Sequence, residues 1–469
     1  MSRSLGQSLL PAALDGWAIP GWLPTAALLL GFAVAGPALG SAARPLFILG
    51  CAGAAWYAWR KSPAEHLRCV LLLFAFAPFL RRLVDLAAGF DTTGLMLVGP
   101  LLAILVPATD LRHYLDGEEA PPAATPILLV GACVGYGTAL SVFQGDWMNA
   151  ASGSLKWFAP LIYAAVLVRR PEESAGLLRG ATSAFLFILP VTGLYGIYQY
   201  VDPPAWDRYW MNYASILSAG QPVPYGVRTY STMNGPASFA TFTAAGLVLV
   251  FFLRASWQSL LVSAPAALAL MLSMYRTGWL SLSVGVLFCC LFSVTRGRAV
   301  TTIGAILVAL VLAGTLTPFG EVIGDRFATF GDGAKDDSAQ ERLEQFVTLW
   351  NRPDSGLFGS GFTITDVGSA GAMAIDGTVI ACWLTFGIVV GLLCLFGLVW
   401  AAANAILAAF RHGSREAIVV GALACGGLVQ MPLAGISSGE LGVLFWTFAV
   451  LLPPERGTGA VPFAGRPSR

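Results

Sequence analysis

Charged residues are scarce in this sequence. They make up 11% of its 469 residues, where a soluble domain carries about 25%, so a conventional solvated surface is excluded. Neither sign dominates: the net charge is +1, and without a basic stripe nucleic acid is not an expected partner. Histidine occurs three times, as His66, His113 and His412. There is no His-x-x-x-His spacing and no cysteine pair in a polar loop, so neither a metal centre nor another cofactor is expected. The eight cysteines lie in or beside apolar runs, which gives no exported disulfide framework. Asp332, Asp336 and Asp337 form an acidic patch that lacks the order of a calcium loop. No period of 20 to 50 residues repeats. The first apolar run, near 22–39, is preceded by one basic residue, Arg3, and is too long for a cleaved signal core.

What the sequence has is apolar length. Hydrophobic residues reach 56%, the mean hydropathy is +0.71, and the apolar residues fall in long, nearly charge-free runs. A run of about 20 such residues spans a bilayer core, where only a helix satisfies its own backbone. The expected fold is therefore an all-α polytopic membrane protein with about 12–14 transmembrane helices, and 1–469 forms a single membrane domain in the lipid bilayer. Fourteen candidate cores are readable: 22–39, 45–59, 66–80, 94–108, 126–143, 153–168, 180–199, 236–253, 257–275, 278–294, 300–318, 375–400, 417–435 and 438–452. With the C-terminal tail, 453–469, placed in the cytoplasm and read as disordered, the loops holding Arg60, Lys61, Arg169, Arg170, Arg254, Arg296, Arg298, Arg411 and Arg415 all fall on that side, as the positive-inside rule asks.

Two long polar segments then face outward, 201–235 and 319–374. Long loops of this kind carry function more often than they merely connect. The second has structure of its own. Ser338-Ala339-Gln340-Glu341 is a capping box, followed by Leu343, Phe346, Val347 and Trp350 at i, i+3, i+4, i+7. That stripe predicts a short amphipathic helix lying on the membrane domain. Asn351-Arg352-Pro353-Asp354 ends it, and Gly356, Gly359 and Gly361 mark a flexible return.

Several arginines fall on the outward side. Arg276 joins two apolar runs, Arg228 closes the first loop, Arg342 lies on the predicted short helix, and Arg81 with Arg82 follows a span. Guanidinium groups clustered at a membrane surface suit a phosphate ligand, because their planar fork matches two phosphate oxygens. Arg81 and Arg82 are assigned instead as topology or headgroup anchors. Trp206, Tyr209, Trp210 and Tyr213 fit an interfacial aromatic belt, or a surface on which sugar rings stack.

Three segments in order carry a family resemblance. Tyr275-Arg276-Thr277-Gly278-Trp279-Leu280-Ser281-Leu282, the run from Arg342 to Trp350 with the Gly356/Gly359/Gly361 return, and the stretch from Ser231 to Phe239 resemble motifs of the O-antigen ligase and polymerase superfamily. The similarity covers mainly residues 225–400. The ligase branch carries a histidine where the second loop re-enters the membrane; this chain has Ala374-Ile375-Asp376-Gly377 there, which looks more like the Wzy-type exopolysaccharide polymerases.

That resemblance implies a bacterial inner-membrane glycosyltransferase with its site at the periplasmic face. Its substrates would be an undecaprenyl-pyrophosphate-linked glycan donor and a second such glycan as acceptor, with chain-length regulators or export proteins as further partners. Arg276 and Arg342, with Arg228 as a third, would hold the pyrophosphate. Asp376 is the candidate base, since a carboxylate beside an apolar span is desolvated and more basic; it would equally serve as a helix N-terminal residue. Glu344 is a further candidate, and Glu341 another unless capping occupies it. A ligase for lipid A core, or a transporter of the same lipid-linked sugars, are the alternatives.

Overall fold

The computed structural model describes residues 19–111, 121–214, 217–254, 256–316, 347, 350, 356–362 and 377–451. Among these the chain is a bundle of α-helices with no strand beyond an isolated antiparallel bridge between Gly220 and Val227. In chain order the α-helices are α1 Leu23–Ala35, α2 Ala43–Lys61, α3 Pro63–Ala88, α4 Val98–Leu105, α5 Thr125–Phe143, α6 Trp147–Leu167, α7 Ser174–Val201, α8 Ala205–Ala214, α9 Pro236–Leu253, α10 Trp257–Leu272, α11 Arg276–Cys290, α12 Ser293–Leu316, α13 Thr378–His412, α14 Arg415–Gln430 and α15 Gly439–Val450. Six helical stretches among the described residues are long and apolar enough to cross a membrane, and five shorter apolar helices accompany them. The protein is an all-α, polytopic, membrane-embedded chain.

Local chemistry sets the helix ends. Ser62 caps α3 by accepting from the Glu65 amide at 3.1 Å, Ser256 does the same for α10, and Ser414 caps α14 through the Ala417 amide at 3.2 Å. Each cap satisfies one of the amides that a helix start leaves without an internal partner. The left-handed Gly413 closes α13. All eight cysteines are free thiols, six of them buried.

The bundle has two distinct ends. At one, α2 finishes in Arg60 and Lys61, α9 is followed by Arg254, and Arg411 and Arg415 flank the α13–α14 turn. We call this the basic end. At the other, α3 and α7 finish, and the 201–235 segment packs on them with α8. This is the loop end. The apolar faces of α3, α5, α6, α7, α9, α11, α13, α14 and α15 enclose one continuous core between them.

Several elements differ from the sequence reading. The core expected at 66–80 belongs to a helix running on to Ala88, because Arg81, Arg82 and Asp85 are paired inside the protein instead of ending the span. The core expected at 94–108 is a short helix, α4, flanked by 3-10 turns. His66 is fully buried in the first turn of α3, between the Tyr163 hydroxyl and the Ala103 carbonyl.

The glycine return is hydrogen-bonded into a break in α13. Non-helical backbone at Gly387 (φ 78°, ψ 177°) breaks α13 and leaves Leu384, Thr385 and Ile388 without helical partners on one side. Residues 356–362 supply them: Ser360 and Gly361 amides donate to the Leu384 and Thr385 carbonyls at 2.8 and 3.0 Å, and the Ile388 amide donates to Gly356 at 3.2 Å. Irregular backbone is tolerated inside a membrane domain only where protein satisfies it in this way. The approach is so close that a Cβ on Gly387 would lie 2.3 Å from the Leu357 carbonyl oxygen.

Candidate functional site

The loop end is built on a charge cluster in the last turns of α3. Arg81 is 7% exposed, Arg82 1%, and Asp85 0%, so none of the three is an anchor in the headgroup layer. Asp85 lies between Arg44 Nη2 at 3.0 Å and Arg81 Nε at 3.2 Å, and Arg44 also approaches Asp91 at 3.8 Å. Arg81 further donates to the Asp91 carbonyl. Arg82 Nη1 is 2.9 Å from Asp207 Oδ1, off the hydrogen-bond line. Three guanidiniums (Arg44, Arg81, Arg82) thus meet three carboxylates (Asp85, Asp91, Asp207), and the cluster is neutral. Buried charges persist in an apolar setting only when paired like this.

Asp91 shows the balance at the edge of the cluster. Burial alone would raise its carboxyl, but hydrogen bonds from the Thr93 hydroxyl and from the Leu95 and Thr93 amides, with Arg44 nearby, hold it below the usual aspartate range.

The cluster continues into an irregular segment, 229–234, that threads between α3 and α7. Gln199 is its hub. Its Oε1 accepts from the Tyr230 and Ser231 amides at 3.1 and 2.8 Å, and its Nε2 donates to Asp207 Oδ2 at 2.7 Å. Ser231 has φ +53°, a left-handed conformation that costs a serine about 1 kcal/mol or more. Its hydroxyl donates to the Thr192 carbonyl at 2.6 Å, and its carbonyl accepts from Arg82 Nη2 at 2.6 Å. Thr232 donates to the Ala75 carbonyl at 2.6 Å. These bonds fix the strained turn. The guanidinium of Arg82 also lies 5.0 Å from the Tyr230 ring and 5.9 Å from those of Phe79 and Trp210.

The loop aromatics serve this cluster. Trp210 is 2% exposed and packs on Tyr230, and Trp206 Nε1 donates to the Tyr195 hydroxyl at 2.6 Å. Trp210 therefore has no free face for sugar stacking, whereas Trp206 is half-buried. Tyr213 is exposed, with its ring on Phe90.

Of the residues proposed from sequence, Arg276 and Arg228 are described; Arg342, Glu344 and Asp376 lie outside the described residues, as does Glu341. Arg276 is the first residue of α11 and half-buried; the N-cap, Tyr275, makes no side-chain capping bond. Arg228 is exposed, and its amide donates to Ala219 at 2.9 Å. The next amide, of Thr229, donates to the Leu272 carbonyl at 3.2 Å, which ties the Arg228 segment to the turn that leads into Arg276. Met274, in that turn, also has φ +53°.

The start of α13 joins the same corner. The Thr378 amide donates to Met431 and Ala434 carbonyls at 2.9 and 3.0 Å, and the Tyr275 hydroxyl donates to Leu433 at 3.3 Å. Gly377, the neighbour of Asp376, packs against Pro432. Trp350 meets Trp383 of α13 edge-on at 6.0 Å.

One carboxylate at this corner escaped the sequence reading. Glu440, in the first turn of α15, accepts from the Ser238 hydroxyl at 2.6 Å. Its signal was a lone acid between two apolar runs. Asp207 and Gln199 escaped too, since nothing in the order of residues links them to Arg82. Among the described residues no group of histidine, cysteine, aspartate or glutamate is arranged to hold a metal. No protein-family model and no curated protein matches the chain.

Proposed function

We propose that the chain is a membrane glycosyltransferase that polymerises undecaprenyl-pyrophosphate-linked oligosaccharides at the loop end, facing the periplasm from the bacterial inner membrane. The observation that carries this reading is Arg276 at the head of α11, tied through the Thr229–Leu272 bond to the segment that bears Arg228. A helix N-terminus and a guanidinium fork both favour a phosphate oxyanion. The order of motifs along the sequence supports the same family.

The chemistry is a substitution at the donor's anomeric carbon. Its bond to the pyrophosphate oxygen breaks with an oxocarbenium-like transition state, the acceptor hydroxyl oxygen forms the new bond, and the acceptor proton passes to a carboxylate. Arg276, Arg342 and Arg228 neutralise the departing pyrophosphate; Asp376 or Glu344 takes the proton. Glu440, which accepts from Ser238, is a further candidate to take the proton.

In cells lacking the chain, complementation with wild type restores long polymer on the lipid carrier. Arg276→Ala leaves single repeat units at normal protein level. Polymer that forms in the variant as in wild type refutes the role of Arg276; polymer that forms but never reaches lipid A core in the deletion strain favours the ligase. A transporter of the same lipid-linked sugars has one observation in its favour, the broken α13 with its inserted 356–362 segment, since discontinuous helices line substrate sites in transporters.

A further inference from the structure

At the basic end a cavity of about 820 Å³ lies between the starts of α3, α7 and α14 and the end of α9. Arg68, Arg179, Arg254 and Arg415 line it, against a single acid, Glu416, among the described residues of its wall. Arg68 is paired with Glu65, 2.6 Å away, and among the described residues Arg179 bonds the Ala175 carbonyl of its own helix, at 3.3 Å. Arg415 is half-buried, and its Nε is shielded from solvent with no acceptor among the described residues. A guanidinium stays charged at any physiological pH, and a shielded one without an acceptor is costly. At the loop end Arg44, Arg81 and Arg82 each meet a carboxylate; among the described residues of this cavity's wall only Glu416 carries negative charge, which suits the cavity to an anionic ligand.

The wall also says what the ligand is like below its charge. Thr182 and Ser183 lie eight and nine residues beyond Ser174 at the start of α7, so the lining extends about 12–14 Å along that helix. The lining also includes Leu178, Leu253 and the small residues Ala64, Ala175, Gly176 and Gly180. A lone oxyanion would leave this apolar part empty, whereas an amphipathic molecule fills both parts. We propose that the cavity holds the phosphate of an anionic glycerophospholipid against Arg254 and Arg415, with an acyl chain along Leu178 and Leu253. Basic pockets between membrane helices recognise headgroups by this chemistry. The inference is independent of the glycosyl-transfer reading, which concerns the opposite end.

The test uses the full chain in mild detergent, with native mass spectrometry to count retained lipid. Wild type retains phosphatidylglycerol and not phosphatidylcholine. Arg254→Gln with Arg415→Gln retains phosphatidylglycerol roughly tenfold or more weakly, as expected for lost charge-assisted bonds, while eluting as the same monodisperse species. Arg254→Lys with Arg415→Lys, which keeps the charge, holds an intermediate amount and guards against a folding artefact. Equal phosphatidylglycerol retention by wild type and the glutamine variant overturns the proposal. Millimolar inorganic phosphate that stabilises wild type and displaces the lipid would overturn the lipid as the source and assign the site to free phosphate.

Discussion

Arginines stand at both ends of this bundle in opposite states. At the loop end Arg44, Arg81 and Arg82 are paired with Asp85, Asp91 and Asp207, and two of the three guanidiniums are nearly sealed from solvent. At the basic end Arg179, Arg254 and Arg415 surround a cavity with one glutamate among the described residues of its wall. The same side chain therefore does two jobs. Paired and buried, it holds an irregular backbone segment in place; exposed or half-buried around a cavity, it is open to an anion. Arg276 and Arg228 belong to neither extreme: they stand at the loop end but outside the neutral cluster, on elements that the cluster positions.

Breaking the pairing should have the largest effect. Arg82→Ala leaves Asp207 buried without its counter-charge, and breaking one side of such a pair costs about 3–5 kcal/mol. Thermal unfolding of the detergent-purified chain should show that loss, and Arg82→Met with Asp207→Leu should recover most of it. A single variant as stable as wild type would mean that the cluster is not structural.

The next effect is at the break in α13. Gly387→Ala puts a Cβ into the Leu357 carbonyl and forces alanine to φ 78°, at about 2 kcal/mol or more. Protease access to residues 356–362 should rise with it. Ser360→Ala, which keeps the backbone bonds, should leave access unchanged.

A smaller effect separates the edge of the cluster from its centre by pH. Asp91 is held below the usual aspartate range when folded, so its contribution is complete above the unfolded value of about 3.9 and is lost as pH falls through the lower folded value. Unfolding of wild type measured from pH 6 down to pH 3 should show this loss, and Asp91→Asn should flatten that part of the curve.

The smallest effect on stability belongs to the basic end. Arg254→Gln with Arg415→Gln should change lipid-free stability by less than about 0.5 kcal/mol, because no buried partner is stranded. A loss as large as that of Arg82→Ala would erase the contrast between the ends.

The helices were largely legible because apolar length is a direct consequence of the bilayer: the core read at 236–253 coincides with α9, and those at 126–143 and 257–275 fall within a few residues of α5 and α10. Arg81 and Arg82 misled because a charge after an apolar run looks like an exit from the membrane, and only the fold brings Asp207 to Arg82 from 125 residues away, as their numbers show. The glycines at 356, 359 and 361 were visible, but their purpose was not, since it depends on carbonyls freed at Gly387. Glu440 lay hidden for the same reason, its partner Ser238 being 202 residues distant. Arg276 was singled out from its place between two apolar runs, and it does head a helix at the loop end.

The most direct test of the account is transfer in a purified system. The full chain in nanodiscs is given one undecaprenyl-pyrophosphate-linked oligosaccharide, and the products are resolved by length. The account predicts a ladder of longer glycans with release of undecaprenyl pyrophosphate from wild type, and neither from Arg276→Ala of equal thermal stability. Wild type that makes no longer glycan, yet moves the intact lipid-linked sugar across a vesicle membrane, would contradict it and establish transport.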